Sequence, residues 1–297
     1  MKLPSFLIIG AQKSGTTTLY RDLLTQPGVF FPYIKEPTCL GDDRVLTPEG
    51  LAEYADLYKP SNESDVRGDA STGYARHPRF QGVPDRAMRV LGPDIKLVYI
   101  IREPVSRIVS QHHHFATNVE CSATVDEFFR LNEHHCVEFT RYAMQLGLWL
   151  DHYPMSSVRV LIFEEYTKRR REVIEELAPF LGFTPTPDLV NPESKFNAAA
   201  DRSSDRGLVM RVQRSKLYGR LRPLMTPATR DTLRRWFAPK SPPPPPPPSA
   251  ETVDAILESL EADQREMATL LGRPYPIWDP KSVREKYERL RSAAASA

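Results

Sequence analysis

The chain reads as an α/β protein, a central parallel sheet with helices on both of its faces. Three observations predict this. Mostly apolar runs of strand length recur at 6–9, 96–101 and 158–163; the first is uninterrupted, the second opens on Lys96 and the third carries Arg159, as befits strands largely covered on both sides. Segments with apolar residues at helical spacing separate them. The first run opens directly into a Gly/Ser/Thr loop and then a helical pattern, the entry of a strand–helix unit.

Taken in order, Phe6-Leu7-Ile8-Ile9 is the first strand. After the loop, Leu19, Leu23 and Leu24 make one apolar stripe, and Pro27-Gly28 stops the helix. Val29-Phe30-Phe31 predicts a short strand. The run at 96–101 leads into Arg102-Glu103-Pro104, with Pro104 suited to the first turn of a helix reaching about His114. Around the run at 158–163, a helix over 140–152 carries Leu146, Trp149, Leu150 and Tyr153, and one over 171–181 carries Ile174, Leu177 and Leu181. Residues 201–240 are rich in Arg and read as helix with polar loops.

The seven-proline run that opens at Pro242 and closes at Pro248 adopts extended polyproline II. It reads as a stiff linker over 241–249, with a ligand for a proline-binding partner as the alternative. Beyond it, 251–271 forms an amphipathic helix with Ile256, Leu260, Met267, Leu270 and Leu271. The expected organisation is a domain over 1–240, the linker, and a helical segment over 250–297 packed back on the domain.

Composition narrows the class. Of 297 residues, 40% are hydrophobic and 26% charged, which suits a soluble protein with one large domain and an appendage. Lys and Arg total 40 against 38 for Asp and Glu, too even for bulk electrostatic binding of nucleic acid. Cys39, Cys121 and Cys136 are too few and scattered for a disulfide scaffold or a zinc site. Three unpaired thiols are expected, although Cys121 and Cys136 would be able to pair in an oxidising compartment. No apolar run approaches the ~20 residues of a membrane helix. Met1-Lys2-Leu3-Pro4 leaves no room for a signal peptide. The expected location is cytoplasmic, or the Golgi lumen if an anchor has been trimmed from the chain.

The chemistry begins at Gly10-Ala11-Gln12-Lys13-Ser14-Gly15-Thr16-Thr17. The two glycines have P-loop spacing: they let the backbone curl so that N–H groups point inward, beside the positive end of the next helix. Position 16, where a nucleotide triphosphatase carries lysine, is Thr, and a lysine stands at 13 instead. A sulfuryl group carries one charge fewer than a phosphoryl group. A lysine with backbone donors can therefore serve it without metal, and no metal is expected here. Asp69 is the nearest acidic candidate for a magnesium ligand, after a weak strand. A kinase or other P-loop triphosphatase, and a purely structural glycine turn, stay open at this point.

Two further places draw attention. Arg102, at the carboxyl end of the strand at 96–101, and Ser110, eight residues on, offer a planar fork and a hydroxyl for a second phosphate. Glu36, in Tyr33-Ile34-Lys35-Glu36-Pro37, is either a solvated turn residue or a general base. Histidines 112–114 are the alternative base.

The loop and the segment Arg102-Glu103-Pro104-Val105-Ser106-Arg107-Ile108-Val109-Ser110 together resemble the donor site of sulfotransferases that use 3′-phosphoadenosine-5′-phosphosulfate (PAPS). The carbohydrate branch, the heparan sulfate N- and 3-O-type enzymes, is the match. The resemblance implies a P-loop-type three-layer fold and transfer of a sulfuryl group to a hydroxyl or amine. The acceptor would be a carbohydrate or a small molecule, and the product 3′-phosphoadenosine-5′-phosphate (PAP). It implies that Lys13, Ser14, Gly15, Thr16 and Thr17 hold the 5′-phosphosulfate, that Arg102 and Ser110 hold the 3′-phosphate, and that Glu36 is the base with Lys13 at the leaving group.

Gly68-Asp69-Ala70-Ser71-Thr72-Gly73-Tyr74 is similar to a segment lining the donor–acceptor boundary, which offers Asp69, Ser71 and Tyr74 as acceptor contacts. Ala70 stands where that family carries lysine. Similarity continues through Phe139-Thr140-Arg141-Tyr142-Ala143 and Phe180-Leu181-Gly182-Phe183, and fades after about 200 to scattered matches such as Trp278. No match is found for the glycine-rich basic loop that closes over the nucleotide in the heparan enzymes; Arg202, Arg206 and Lys216 are either its substitutes or a run of surface charge. A non-catalytic PAP-binding scaffold is the remaining alternative.

Overall fold

The computed structural model describes residues 1–118, 124–194 and 246–296. Its strands are β1 (Phe6–Gly10), β2 (Val29–Phe30), β3 (Val66–Ala70), β4 (Lys96–Ile101) and β5 (Val158–Ile162). All pair in parallel, in the order β2-β3-β1-β4-β5. The helices are α1 (Thr16–Leu24), α2 (Pro48–Asp56), α3 (Val83–Leu91), α4 (Pro104–Asn118), α5 (Val125–Glu138), α6 (Tyr142–Leu150), α7 (Phe163–Tyr166), α8 (Arg170–Leu181), α9 (Ala250–Leu270) and α10 (Pro280–Ala295).

The central strands divide their side chains by parity. Leu7 and Ile9 of β1, with Leu97, Tyr99 and Ile101 of β4, enter a core shared with α3, α6 and Met267 of α9. Phe6, Ile8, Val98 and Ile100 enter a second core with α1 and α8. With an apolar layer on each side, neither face of these strands tolerates polar alternation, so they read as continuous apolar runs. A third cluster joins α4 and α5 to α9 and α10 through Val105, Ile108, Phe128, Ile256, Leu260 and Tyr287. The three-layer α/β architecture predicted from the sequence is the one observed.

A buried ion pair locks α1 to α8. Arg170 grips Asp22 through Nη2–Oδ1 at 2.5 Å and Nε–Oδ2 at 2.8 Å, and the Tyr166 hydroxyl donates to the same carboxylate. Both charges are about 3% exposed, so losing one partner would leave the other unpaired at a cost of about 3–5 kcal/mol.

Several details differ from the sequence reading. The strand at 158–163 ends at Ile162, because Phe163 opens the short helix α7. The helix expected over 140–152 spans Tyr142–Leu150, and the one after Pro104 runs on past His114. The helical reading of 201–240, Arg202, Arg206, Lys216, Cys121 with its pairing to Cys136, and the first four prolines of the run lie outside the described residues. The end of that run is tied down: Pro248 O accepts from Arg291 Nη1 at 2.9 Å, and Ser249 N donates to Asp126 Oδ1 at 2.9 Å. Among the described residues no helix is long and apolar enough to cross a membrane.

Candidate active site

β1 and β4 lie side by side, and their onward connections leave in opposite directions, one toward β2 and the other toward β5. In an open α/β sheet, ligands bind in the crevice at the carboxyl ends of such a pair. The loop at 11–15 caps β1 there, and Arg102 follows β4.

The loop is tied down through its backbone. Ala11 N donates to Ile100 O at 2.7 Å, Arg102 Nη1 to Lys13 O at 3.1 Å, and Arg107 Nη1 to Gln12 O at 3.4 Å. Lys13 (φ 70°) and Gly15 (φ 94°) take left-handed conformations. Gly15 is glycine for two reasons, since a Cβ there would also sit 2.5 Å from the Phe163 ring. Gly15 caps α1, so the loop delivers its N–H groups, with Thr16 and Thr17, to the positive end of that helix.

Two polar groups beside this loop are buried with no hydrogen-bond partner among the described residues. Ser14 Oγ lies near the Tyr142 hydroxyl but makes no well-formed bond to it. Arg102 Nε has no acceptor, while its guanidinium stacks 4.7 Å from the Phe163 ring centroid. Buried polar groups are seldom left this way unless a ligand completes them, and a hydroxyl in a curled loop with a guanidinium bonded to that loop suits an anion.

Arg107 supports the crevice from beneath. It is fully buried, and its remaining donors meet Thr140 Oγ1 (2.8 Å), Gln111 Oε1 (2.6 Å) and Cys136 O (3.2 Å). All its bonded partners are neutral, and burial pulls its pKa below the ordinary guanidinium value. Ser110 is half-buried one turn further along α4; at i+3 it shares the side of the helix from which Arg107 reaches the loop. Glu103, between Arg102 and the helix, caps α4 by accepting from Val105 N (2.6 Å) and Ser106 N (3.0 Å).

Glu36, on the segment that follows β2, is exposed at φ 59°. Lys35 Nζ donates to its Oε1 at 2.7 Å, and Thr72 Oγ1 to its Oε2 at 3.2 Å. A buried network carries this segment. Tyr54 and Tyr74 donate to Asp69 Oδ2 at 2.8 and 2.7 Å, and Ser71 donates to Oδ1 at 2.6 Å. Ser71 Oγ in turn accepts from Thr38 N at 3.1 Å, and Tyr74 OH from Leu40 N at 3.3 Å. Burial raises the Asp69 pKa against the pull of its three hydroxyl donors.

The expectation that Asp69, Ser71 and Tyr74 meet an acceptor is therefore corrected. They are buried and bonded to one another because a carboxylate without solvent needs all three donors. His112 and His113 are also buried, His112 edge-on to Phe128 at 5.3 Å, on the packed side of α4.

Two residues escaped the sequence reading. Arg76 stacks on Phe139 at 4.7 Å, and Phe163 wedges between Gly15 and Arg102. Neither belongs to a spaced pattern; only the fold brings them to the loop.

Residues 3–240 match the family described as "Sulfotransferase domain". The bifunctional heparan sulfate N-deacetylase/N-sulfotransferase 4 of Mus musculus is 26% identical over 202 residues, 62% of this chain and 23% of that protein. The bifunctional heparan sulfate N-deacetylase/N-sulfotransferase of Drosophila melanogaster is 26% identical over 217 residues, 64% of this chain and 20% of that one. The chain thus spans about a fifth to a quarter of the length of these curated relatives. Among solved structures, a sulfotransferase from Alicyclobacillus acidocaldarius shares the fold, with a TM-score of 0.62 at 20% identity, covering 94% of this chain and 99% of that one.

Proposed function

The chain belongs to the sulfotransferase family, and from that premise we propose that its donor is PAPS and its acceptor a hydroxyl of a carbohydrate or small molecule. One observation carries the donor reading: the curled loop and the second cationic strand end share one crevice, joined by the bond from Arg102 to Lys13 O. Lys13, Ser14, Gly15, Thr16 and Thr17 would hold the 5′-phosphosulfate end, and Arg102 and Ser110 the 3′-phosphate. The carbohydrate reading is supported by the heparan sulfate relatives.

PAPS, when bound, supplies a sulfuryl group whose bond to the 5′-phosphate breaks as the acceptor oxygen bonds to sulfur, giving sulfated acceptor, PAP and one proton. Glu36 takes that proton, its carboxylate held in place by Lys35 and Thr72. Lys13 balances the charge growing on the leaving phosphate, and the N–H groups at the start of α1 assist it. With Lys13, Arg102 and Arg107 around one loop, the chain's own cations meet the charge without a metal ion, and a chelator is expected to leave the rate unchanged.

PAP is expected to raise the melting temperature far more than AMP or ATP with Mg²⁺; equal shifts would remove the case for a 3′-phosphate site. Glu36→Gln is expected to keep PAP binding and lower turnover by roughly 100-fold or more. A mutant that stays active would send the search for the base elsewhere.

A further inference from the structure

Arg76 has no place in the donor site or in the base as described, yet the fold presents it to both. It leaves the 3₁₀ turn Thr72–Ala75. The first residue of that turn, Thr72, donates to Glu36. The last, Ala75, packs against the start of the loop, its Cβ 2.9 Å from where a Cβ on Gly10 would lie. The next residue, His77, is fixed to α6: its N–H donates to Gln145 Oε1 at 3.0 Å and its O accepts from Gln145 Nε2 at 2.8 Å. Arg76 thus stands on backbone pinned from both sides, between the residue that holds the base and the first turn of the loop.

Its side chain is as restrained as its backbone. The guanidinium lies on the Phe139 ring, and Nε is buried without an acceptor. No described residue gives Arg76 a hydrogen bond or an ion pair. Around it, Arg79 and Arg107 oppose its charge and Glu36 favours it; with burial as the largest cause, its pKa falls to about 10. It stays protonated at neutral pH, short of negative charge. From Asp69 to Arg76 it is the one cation in the sequence, since Ala70 is a buried methyl group at the end of β3.

We propose that Arg76 is a catalytic residue that hydrogen-bonds the sulfuryl oxygens of the bound donor as the group passes from the 5′-phosphate to the acceptor. The group in transit has three oxygens in a plane, and the planar donor fork of an arginine matches them better than a point charge does. The stack on Phe139 orients the fork before the donor arrives, so little ordering remains at the reaction itself.

This rests on PAPS being the donor, and the test separates the two ideas. PAP lacks the sulfuryl group, so comparing PAP with PAPS by calorimetry isolates the contact that Arg76 is assigned. In the unaltered protein both are expected to bind; if neither does, the donor reading fails first. In Arg76→Ala, PAP affinity is expected to stay within about twofold while PAPS affinity falls roughly tenfold or more, the range of one lost hydrogen bond to a charged group. Unchanged PAP affinity also reports a folded crevice. Arg76→Lys should recover part of the PAPS preference. Equal losses for PAP and PAPS in both variants would make Arg76 a structural support and overturn the proposal. So would unchanged binding of both ligands, or a rise only in the KM of an acceptor.

Discussion

The base proposed above must be held on a fixed backbone while its carboxylate stays open. Glu36 (φ 59°) and Thr38 (φ 55°) both occupy the left-handed region without being glycine, a conformation costing about 1–3 kcal/mol that persists only where the surroundings enforce it. The enforcing group is Asp69, through Ser71 to the Thr38 N–H and through Tyr74 to the Leu40 N–H. Asp69→Asn keeps the shape but turns one acceptor oxygen into an NH₂ that must face a hydroxyl. Its expected effects are a loss of about 1–3 kcal/mol in stability and a fall in turnover, with PAP affinity unchanged. Denaturant titration and PAP calorimetry check both; a parallel loss of PAP affinity would show that Asp69 supports the nucleotide side instead. In the sequence this role was invisible. Asp69 reads as a polar residue near a turn, open to solvent or substrate, because the three hydroxyls that enclose it come from α2, β3's own end and the turn beyond. The loop from Gly10 to Thr17 was legible for the opposite reason: its function depends on backbone curl and helix charge, both written in fixed local spacing.

Elements show the same division between local and distant causes. β1, β4 and β5 were readable because each is mostly apolar in its own sequence, with Arg159 the charge inside β5. β3, Val66-Arg67-Gly68-Asp69-Ala70, reads only as a weak strand: its place beside β1 is made by partners elsewhere, with Phe6 and Phe31 packed over Gly68 and tyrosines bonded to Asp69. Helix α6 is a second case. No side chain of its own caps it; instead Asp263 of α9 accepts from Ala143 N at 3.1 Å and Met144 N at 2.9 Å. Burial raises the Asp263 pKa to about 6, against the lowering effect of those two N–H groups. Between the unfolded value near 3.8 and 6, the native state binds the extra proton, so this group's contribution to stability is full below pH 4 and lost as pH rises to 6. The contribution is on the order of a few kcal/mol. Asp263→Asn keeps an acceptor for the helix end and removes the titration. Stability measured at intervals from pH 4 to 7 should therefore fall for the unaltered protein relative to the variant, then run parallel above pH 6. Parallel curves throughout would mean that the carboxylate is ionised across the whole range.

At the scale of the whole molecule, the family match ends at residue 240, yet α9 and α10 lie beyond it and reach the second strand end by two routes. Asp263 fixes the start of α6, and Tyr142 there donates to Arg102 O at 2.8 Å. Trp278, between the two helices, donates from Nε1 to Glu164 Oε2 at 3.0 Å, and Glu164 Oε1 accepts from Glu103 N at 3.1 Å. Lys286 of α10 adds a bond to Ser106 Oγ at 2.6 Å. The routes converge on residues 102 and 103, so the C-terminal pair sets where the Arg102 guanidinium stands relative to the loop. Trp278→Phe keeps most of the ring volume and removes the indole donor, leaving Glu164 freer to release Glu103. About 1 kcal/mol of stability should be lost. PAP affinity should weaken roughly threefold to tenfold, while AMP, which lacks the 3′-phosphate assigned above by proposal to Arg102, should bind as before. Calorimetry with both nucleotides decides it. If PAP and AMP weaken together, the indole bond supports the fold as a whole; if PAP alone weakens, the C-terminal helices are part of what makes the crevice selective for a nucleotide carrying two separated anions.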